Sequence, residues 1–202
     1  MTTVVRDTVE RVCLSILVIS LAFRIGVGIL SGQESIVALF VLAGEFVVLG
    51  FVIFGRAAVR STANTRKWLI AFAGTAAPLF VTIGGTPFLP LPVIFWVCVT
   101  ALSLQIAAKI NLNRSFGIVP ANRGVVTDGF YSVIRHPVYA SYLIGHVGFL
   151  LLNPNWWNLA VYTVGLCFQV ARMIMEEGLL SEDPEYAAYL RHVKYRLLPG
   201  VF

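Results

Sequence analysis

Apolar residues run through this chain in long blocks, broken by short polar, glycine- or proline-containing stretches. Six blocks approach membrane-spanning length: residues 8–30, 35–55, 68–84, 91–110, 137–152 and 156–177. About 20 apolar residues in a helix cross a hydrocarbon layer about 30 Å thick. The pattern therefore predicts an all-α, polytopic membrane protein with about six transmembrane helices. The last two blocks, joined by Asn153-Pro154-Asn155, form a C-terminal helical hairpin. The fifth block is short for the layer, so its inner end is expected within the membrane, beside a pocket open to one side.

The pattern changes after Leu180. Asp183 followed by Pro184 is a helix start, with the carboxylate as N-cap and proline at the first helical position. Tyr186, Tyr189, Leu190 and Val193 then recur at helical spacing until Pro199-Gly200 ends the run. This amphipathic helix lies on the membrane surface or closes over a pocket with its tyrosines on a ligand, and both readings stay open. The expected organisation is one structural unit. Residues 1–112 supply four transmembrane helices, and residues 113–202 supply a loop, the hairpin and a small cytoplasmic cap.

Composition supports the membrane reading. Hydrophobic residues make up 58% of the chain and charged residues 12%, about half the charged share of a soluble domain. The net charge is +5, and its placement is what matters. Residues 56–67 contain Arg56, Arg60, Arg66 and Lys67 without an acid, whereas the turns around Gly32, Gly85 and Pro154 contain no Lys or Arg. That asymmetry predicts both termini and the polar loops on the cytoplasmic side. No continuous basic face exists to track phosphates, so nucleic acid is excluded as a partner.

The first block is too long for a signal-peptide core of about 7–15 residues and lacks a small-residue cleavage site, so it is expected to remain as a helix. Arg24 and Glu45 are predicted to pair within the first hairpin, with a proton or ion path as the alternative. Gln105 and Gln169 are expected to bond between helices. Cys13, Cys98 and Cys167 each lie in an apolar block, match no metal-ligand spacing and are read as packing residues. No metal site is predicted.

Polar groups able to do chemistry concentrate between Arg123 and Glu177. In Arg135-His136-Pro137-Val138-Tyr139, proline suits the first turn of a helix and puts His136 near its cap. The free N–H groups of Val138 and Tyr139 would then suit an anion such as a carboxylate; alternatively, Arg135 and His136 are ordinary interfacial residues. Arg172 and Glu176 are four residues apart and share a helical face with Gln169, while Glu177 lies about 100° round. These groups form a plain salt bridge with a solvated Glu177, or they face the His136 helix start across a small pocket.

The order Val125-Val126-Thr127-Asp128-Gly129-Phe130-Tyr131, Arg135-His136-Pro137-Val138-Tyr139, Arg172 with Glu176-Glu177, Tyr186, Tyr189 and Arg196-Leu197-Leu198-Pro199 resembles the isoprenylcysteine carboxyl methyltransferase family. Its wider group includes phospholipid N-methyltransferases. The likeness covers residues 113–199 and implies an S-adenosylmethionine-dependent methyltransferase that releases S-adenosylhomocysteine. It implies that Val125, Val126 and Tyr131 line the cofactor pocket. His136, Pro137, Val138 and Tyr139 would form its part at the helix start, and Glu176 would bind the cofactor amino group. Arg172 would grip a substrate carboxylate. Glu177, or His136, is the candidate base for an amine or thiol acceptor.

The resemblance also implies a lipophilic acceptor entering from the bilayer, with prenylated thioether carboxylates as the leading class, another isoprenoid, a phospholipid or a small thiol as the alternative, and membrane lipid as a further partner. The loop before Tyr186 is shorter than in the eukaryotic enzymes, and Pro120 and Arg123 depart from the family's polar residues. Both departures bear on the acceptor more than on the cofactor. Two rival readings are a sterol-type membrane reductase using NADPH, with only Arg191, Lys194 and Arg196 to meet a 2′-phosphate, and a non-catalytic scaffold that keeps the motif as helix caps.

Overall fold

A computed structural model of the chain describes residues 2–30, 46, 49–50 and 53–201. The expected second membrane segment, the turn at residues 31–34 and the Arg24–Glu45 pair lie largely or wholly outside the described residues. Among those described, the chain is mostly helical with almost no strand. The helices are α1 (Thr3–Leu30), α2 (Thr65–Ala76), α3 (Leu91–Leu112), α4 (Pro137–Leu152), α5 (Trp156–Leu180) and α6 (Pro184–His192). Two of them, α3 and α5, are long and apolar enough to cross a membrane. At 1.5 Å per residue their 22 and 25 residues span about 33 and 37 Å.

The hairpin α4–α5 follows the sequence pattern closely. Pro137 opens α4 at its first position, and Asn155 caps α5 by accepting from the Asn158 amide at 2.7 Å. At 16 residues α4 is about 24 Å long, short of the layer as expected. Small residues let the helices approach: Gly145 of α4 faces Ala101 of α3, and Gly148 sits against Cys98. Likewise Gly165 of α5 meets Ala77, and Gly74 of α2 meets Phe168 and the backbone of Gln169.

The third predicted segment is a correction. Instead of one helix over residues 68–84, α2 ends at Ala76 and a 3-10 turn runs over Ala77–Phe80. Pro78 has no N–H to donate back into the helix and tightens the chain there. The following residues form an irregular segment clamped to the hairpin tip. Asn158, fully buried, accepts from the Thr82 amide at 2.8 Å and donates to the carbonyls of Thr82 and Asn153 at 2.8 and 2.9 Å.

Two of the three cysteines also depart from expectation. Cys13 and Cys167 are exposed on the helix surfaces, and only Cys98 packs between helices. Exposed Val9, Val12, Ile16, Ile19, Phe23 and Val27 on α1 form an apolar face of the kind lipid covers.

Two features join the N-terminal half to the polar loop. A two-residue antiparallel pairing sets Arg60–Ser61 (β1) against Ala121–Asn122 (β2). A core of Leu14, Val18, Ala71, Phe116, Ile118 and Val119 then packs α1 and α2 against the loop that follows α3.

Candidate active site

The loop between α3 and α4 is positioned by a buried ionic cluster that begins on α1. Glu10 is 2% exposed; one of its oxygens accepts from the amides of Ile118 and Val119 at 2.6 and 3.0 Å. Its other oxygen accepts from Arg123 at 2.7 Å, and Arg123 also donates to Asp7 at 2.9 Å. Arg11 closes the cluster on Asp7 at 2.8 Å. Gly117 must be glycine in this arrangement, because a Cβ there would overlap the Arg123 guanidinium. Buried charges are kept only when paired in this way.

Beyond this loop lies a cleft enclosing about 690 Å³, counting the space at its open mouth. Its walls come from the α3–α4 loop (Phe116, Gly117, Val125, Val126, Tyr131), the start of α4 (His136, Val138, Tyr139), α5 (Arg172, Glu176) and α6 (Tyr186, Tyr189). Tyr139 is the hinge of its chemistry. Its hydroxyl donates to Glu176 at 2.9 Å, and the Arg172 guanidinium lies 5.2 Å from its ring centroid. Arg172 is buried, donates to the Gly117 carbonyl at 2.9 Å and to the Thr75 hydroxyl at 3.4 Å, and leaves a buried Nε without a partner. The Glu176 oxygen not held by Tyr139 stays open to the cleft.

Glu177 is placed differently from the solvated residue one sequence reading allowed. It is 7% exposed, and one oxygen accepts from Arg135 at 2.9 Å while meeting His136 Nε2 at 3.0 Å. Its other oxygen accepts from Arg196 at 2.9 Å. The backbone completes this join: the amides of Arg135 and His136 donate to the carbonyls of Tyr195 and Arg196, each at 2.9 Å. Glu177 thus ties the start of α4, the end of α5 and the segment after α6 into one knot.

Helix α6 forms as its sequence suggests. Asp183 accepts from the Glu185 amide at 2.9 Å, and Pro184 follows as the first residue. The helix stops at His192 rather than running on towards Pro199, and the residues beyond extend along the α4 entry. Tyr186, Tyr189 and Val193 pack against Val125, Leu180 and Leu190. The Tyr189 hydroxyl donates to the Tyr131 carbonyl at 2.6 Å. Burial pushes the Tyr131 phenol well above its ordinary range, with the Glu176 charge adding to the effect. The Tyr189 phenol is pushed up to about 12, chiefly by burial.

Of the residues singled out from the sequence, Val125, Val126, Tyr131, His136, Val138, Tyr139, Arg172 and Glu176 all line the cleft. Pro137 and Glu177 do not; Pro137 is buried behind the wall and Glu177 holds the knot beside it. Arg172 and Glu176 make no direct ion pair among the described residues, and each instead addresses Tyr139. Asp7 and Glu10 went unrecognised, and Arg123 stood out only as a departure from the family's polar residues. Their only sequence signal is a pair of acids three residues apart at the entrance to an apolar helix. The described residues contain no cluster of ligands suited to a metal.

No curated protein matches the chain significantly. Residues 90–184, which run from the start of α3 to the start of α6 and carry most of the cleft, match the family model for phospholipid methyltransferase. That match falls on the segment that builds the cleft, and over it the chain is similar to a phospholipid methyltransferase domain, part of the membrane methyltransferase group that includes the isoprenylcysteine methyltransferases.

Proposed function

We propose that the cleft binds S-adenosylmethionine and that the chain transfers its methyl group to a lipophilic acceptor, with the carboxylate of an isoprenylcysteine-like compound as the leading acceptor. The observation that carries this reading is the pairing across Tyr139 of an open carboxylate, Glu176, and a buried guanidinium with a spare donor, Arg172. The residues fit the donor chemically. Glu176 suits an ammonium, aromatic walls suit a sulfonium, and Arg172 has an N–H free for an oxyanion.

When bound, the donor would supply an electrophilic methyl group on a sulfonium, with a neutral thioether as its leaving group. The chain's own task is to align and to exclude water. Glu176, fixed by Tyr139, orients the donor's amino end. Arg172, fixed by Gly117 and Thr75, orients the acceptor's oxygen. Tyr186 and Tyr189 cover the cleft from α6.

The acid–base inventory of the cleft is short, which favours an acceptor already ionised at neutral pH. Glu177 is saturated by Arg135, His136 and Arg196, and His136 spends its Nε2 on Glu177. Glu177 is therefore better read as a positioning residue than as a base, and His136, which lines the cleft and keeps its Nδ1, is the group left to serve an amine or thiol acceptor. A carboxylate acceptor needs no base. The second reading, a phospholipid acceptor, draws equal support from the family match over residues 90–184. In either case the excess of Lys and Arg in the loops around the cleft supports a cytoplasmic active site in a multi-pass protein.

Thermal unfolding of the purified protein with S-adenosylhomocysteine and, separately, NADPH tests the reading. A ligand that binds only the folded state at about 100 times its Kd adds about 2.7 kcal/mol. The expected outcome is a raised Tm with S-adenosylhomocysteine alone, together with transfer of labelled methyl from S-adenosylmethionine into a lipid extract. Stabilisation by NADPH and not by S-adenosylhomocysteine would replace this reading with the reductase one.

A further inference from the structure

The last turn of α3 carries a lysine that the reading above does not use. Lys109 is 2% exposed, and among the described residues its ammonium makes no hydrogen bond or ion pair. It lies instead 5.8 Å from the Phe116 ring centroid and 5.4 Å from that of Tyr142. Ring faces and the helix end attract a cation, but they return only part of what an ammonium loses on leaving water. A lysine buried on these terms lacks its counter-charge.

Its surroundings say where that charge would come from. Phe116 lines the cleft, and Tyr142 stands edge-on to Tyr139 at 6.4 Å. Tyr139 also lines the cleft and carries Arg172, whose buried Nε is likewise without a partner. Two cations with unspent donors therefore flank one aromatic row. Of the acids around the cleft, Glu10 is committed to Arg123 and Glu177 to Arg135 and Arg196, which leaves the single charge of Glu176, with one oxygen on the neutral Tyr139 hydroxyl, against the two cations. On the methyltransferase reading the donor widens the surplus, since it brings a sulfonium and an ammonium against one carboxylate.

We infer that Lys109 and Arg172 together form an anion subsite for the acceptor's head group, so that the acceptor is an amphiphile bearing a carboxylate or a phosphate. The word acceptor rests on the proposed function. The anion subsite itself rests on the two cations and their aromatic row.

The full chain in a non-ionic detergent would be titrated with three amphiphiles, with and without S-adenosylhomocysteine. These are N-acetyl-S-farnesylcysteine, oleoyl lysophosphatidate and, as a neutral control, the methyl ester of the first. At least one acid should bind tenfold or more tightly than the ester, and which one binds separates the carboxylate source from the phosphate source. Lys109→Met should lose at least tenfold for that acid while S-adenosylhomocysteine affinity stays within about twofold, and Lys109→Arg should recover most of it. Without amphiphile, Lys109→Met should melt at or above the wild type, because an uncompensated buried charge has been removed.

Equal binding of acids and ester by the wild type, which needs no variant, overturns the inference. So does undiminished acid binding by Lys109→Met, or a lower melting temperature for it. Acid binding through Lys109 in a protein that ignores S-adenosylhomocysteine would instead overturn the methyltransferase reading and leave the anion subsite standing.

Discussion

Arg172 and Glu176 sit one helical turn apart and both meet Tyr139, yet their hydrogen bonds go to different groups. Arg172 donates to Gly117 and Thr75 and keeps Nε unspent, while Glu176 takes the Tyr139 hydroxyl. Charge-assisted hydrogen bonds of this kind contribute about 1.5–3 kcal/mol. Glu176→Gln should therefore weaken S-adenosylhomocysteine binding by about tenfold or more in calorimetry. Arg172→Lys should leave that binding within a few-fold but reduce methyl transfer by about a hundredfold, since an ammonium cannot copy the planar fork. The opposite pattern would exchange their roles. Both residues were readable from the sequence because spacing on a helix fixes which side chains share a face. Glu177 was legible as a charge at the helix end but not as the centre of a knot, since its partners lie up to 42 residues away.

At the scale of elements, the hairpin was the most legible part of the chain. Pro137 and Asn155 start its helices by local chemistry, and Asn153 and Asn155 mark its tip. The break at Pro78 was passed over because an apolar run hides a missing N–H. The two-residue pairing of Arg60–Ser61 with Ala121–Asn122 has no periodicity to detect. Helix α6 was legible from Asp183-Pro184, but its docking was not. That docking carries a pH dependence with a definite sign. Burial raises the Tyr189 phenol to about 12 and the Tyr186 phenol further. The folded state thus favours the neutral phenols. Their contribution is fully present below the ordinary tyrosine range, near pH 10, and is lost as pH rises through about 12. Tyrosinate absorbance should show a late-ionising class that includes Tyr189. Tyr189→Phe should shrink that class and, by orphaning the Tyr131 carbonyl, cost about 1–3 kcal/mol in thermal unfolding. A wild type whose tyrosines all ionise near pH 10 would contradict the docking.

For the whole molecule, the cleft belongs to both halves of the chain. Its walls come from residues 112–189, but the loop that forms one wall is held by Asp7 and Glu10 of α1. Glu10→Ala would leave Arg123 half paired and two buried amides without their acceptor, a loss of about 3–5 kcal/mol for a broken buried pair. Thermal unfolding should register that loss, and S-adenosylhomocysteine affinity should fall with it. Glu10→Gln, which keeps an acceptor oxygen for Ile118 and Val119, should lose less. An unchanged ligand affinity in the folded Glu10→Ala protein would show that the loop holds its shape without α1. This long-range dependence was hidden in the sequence, because no local pattern ties Glu10 to an arginine 113 residues away.

The join of Arg135 and His136 to Tyr195 and Arg196 has a consequence for truncation. A chain cut before Tyr195 would lose the carbonyl acceptors of those two amides and the Arg196 bond to Glu177, and the entry to α4 would stand without its brace.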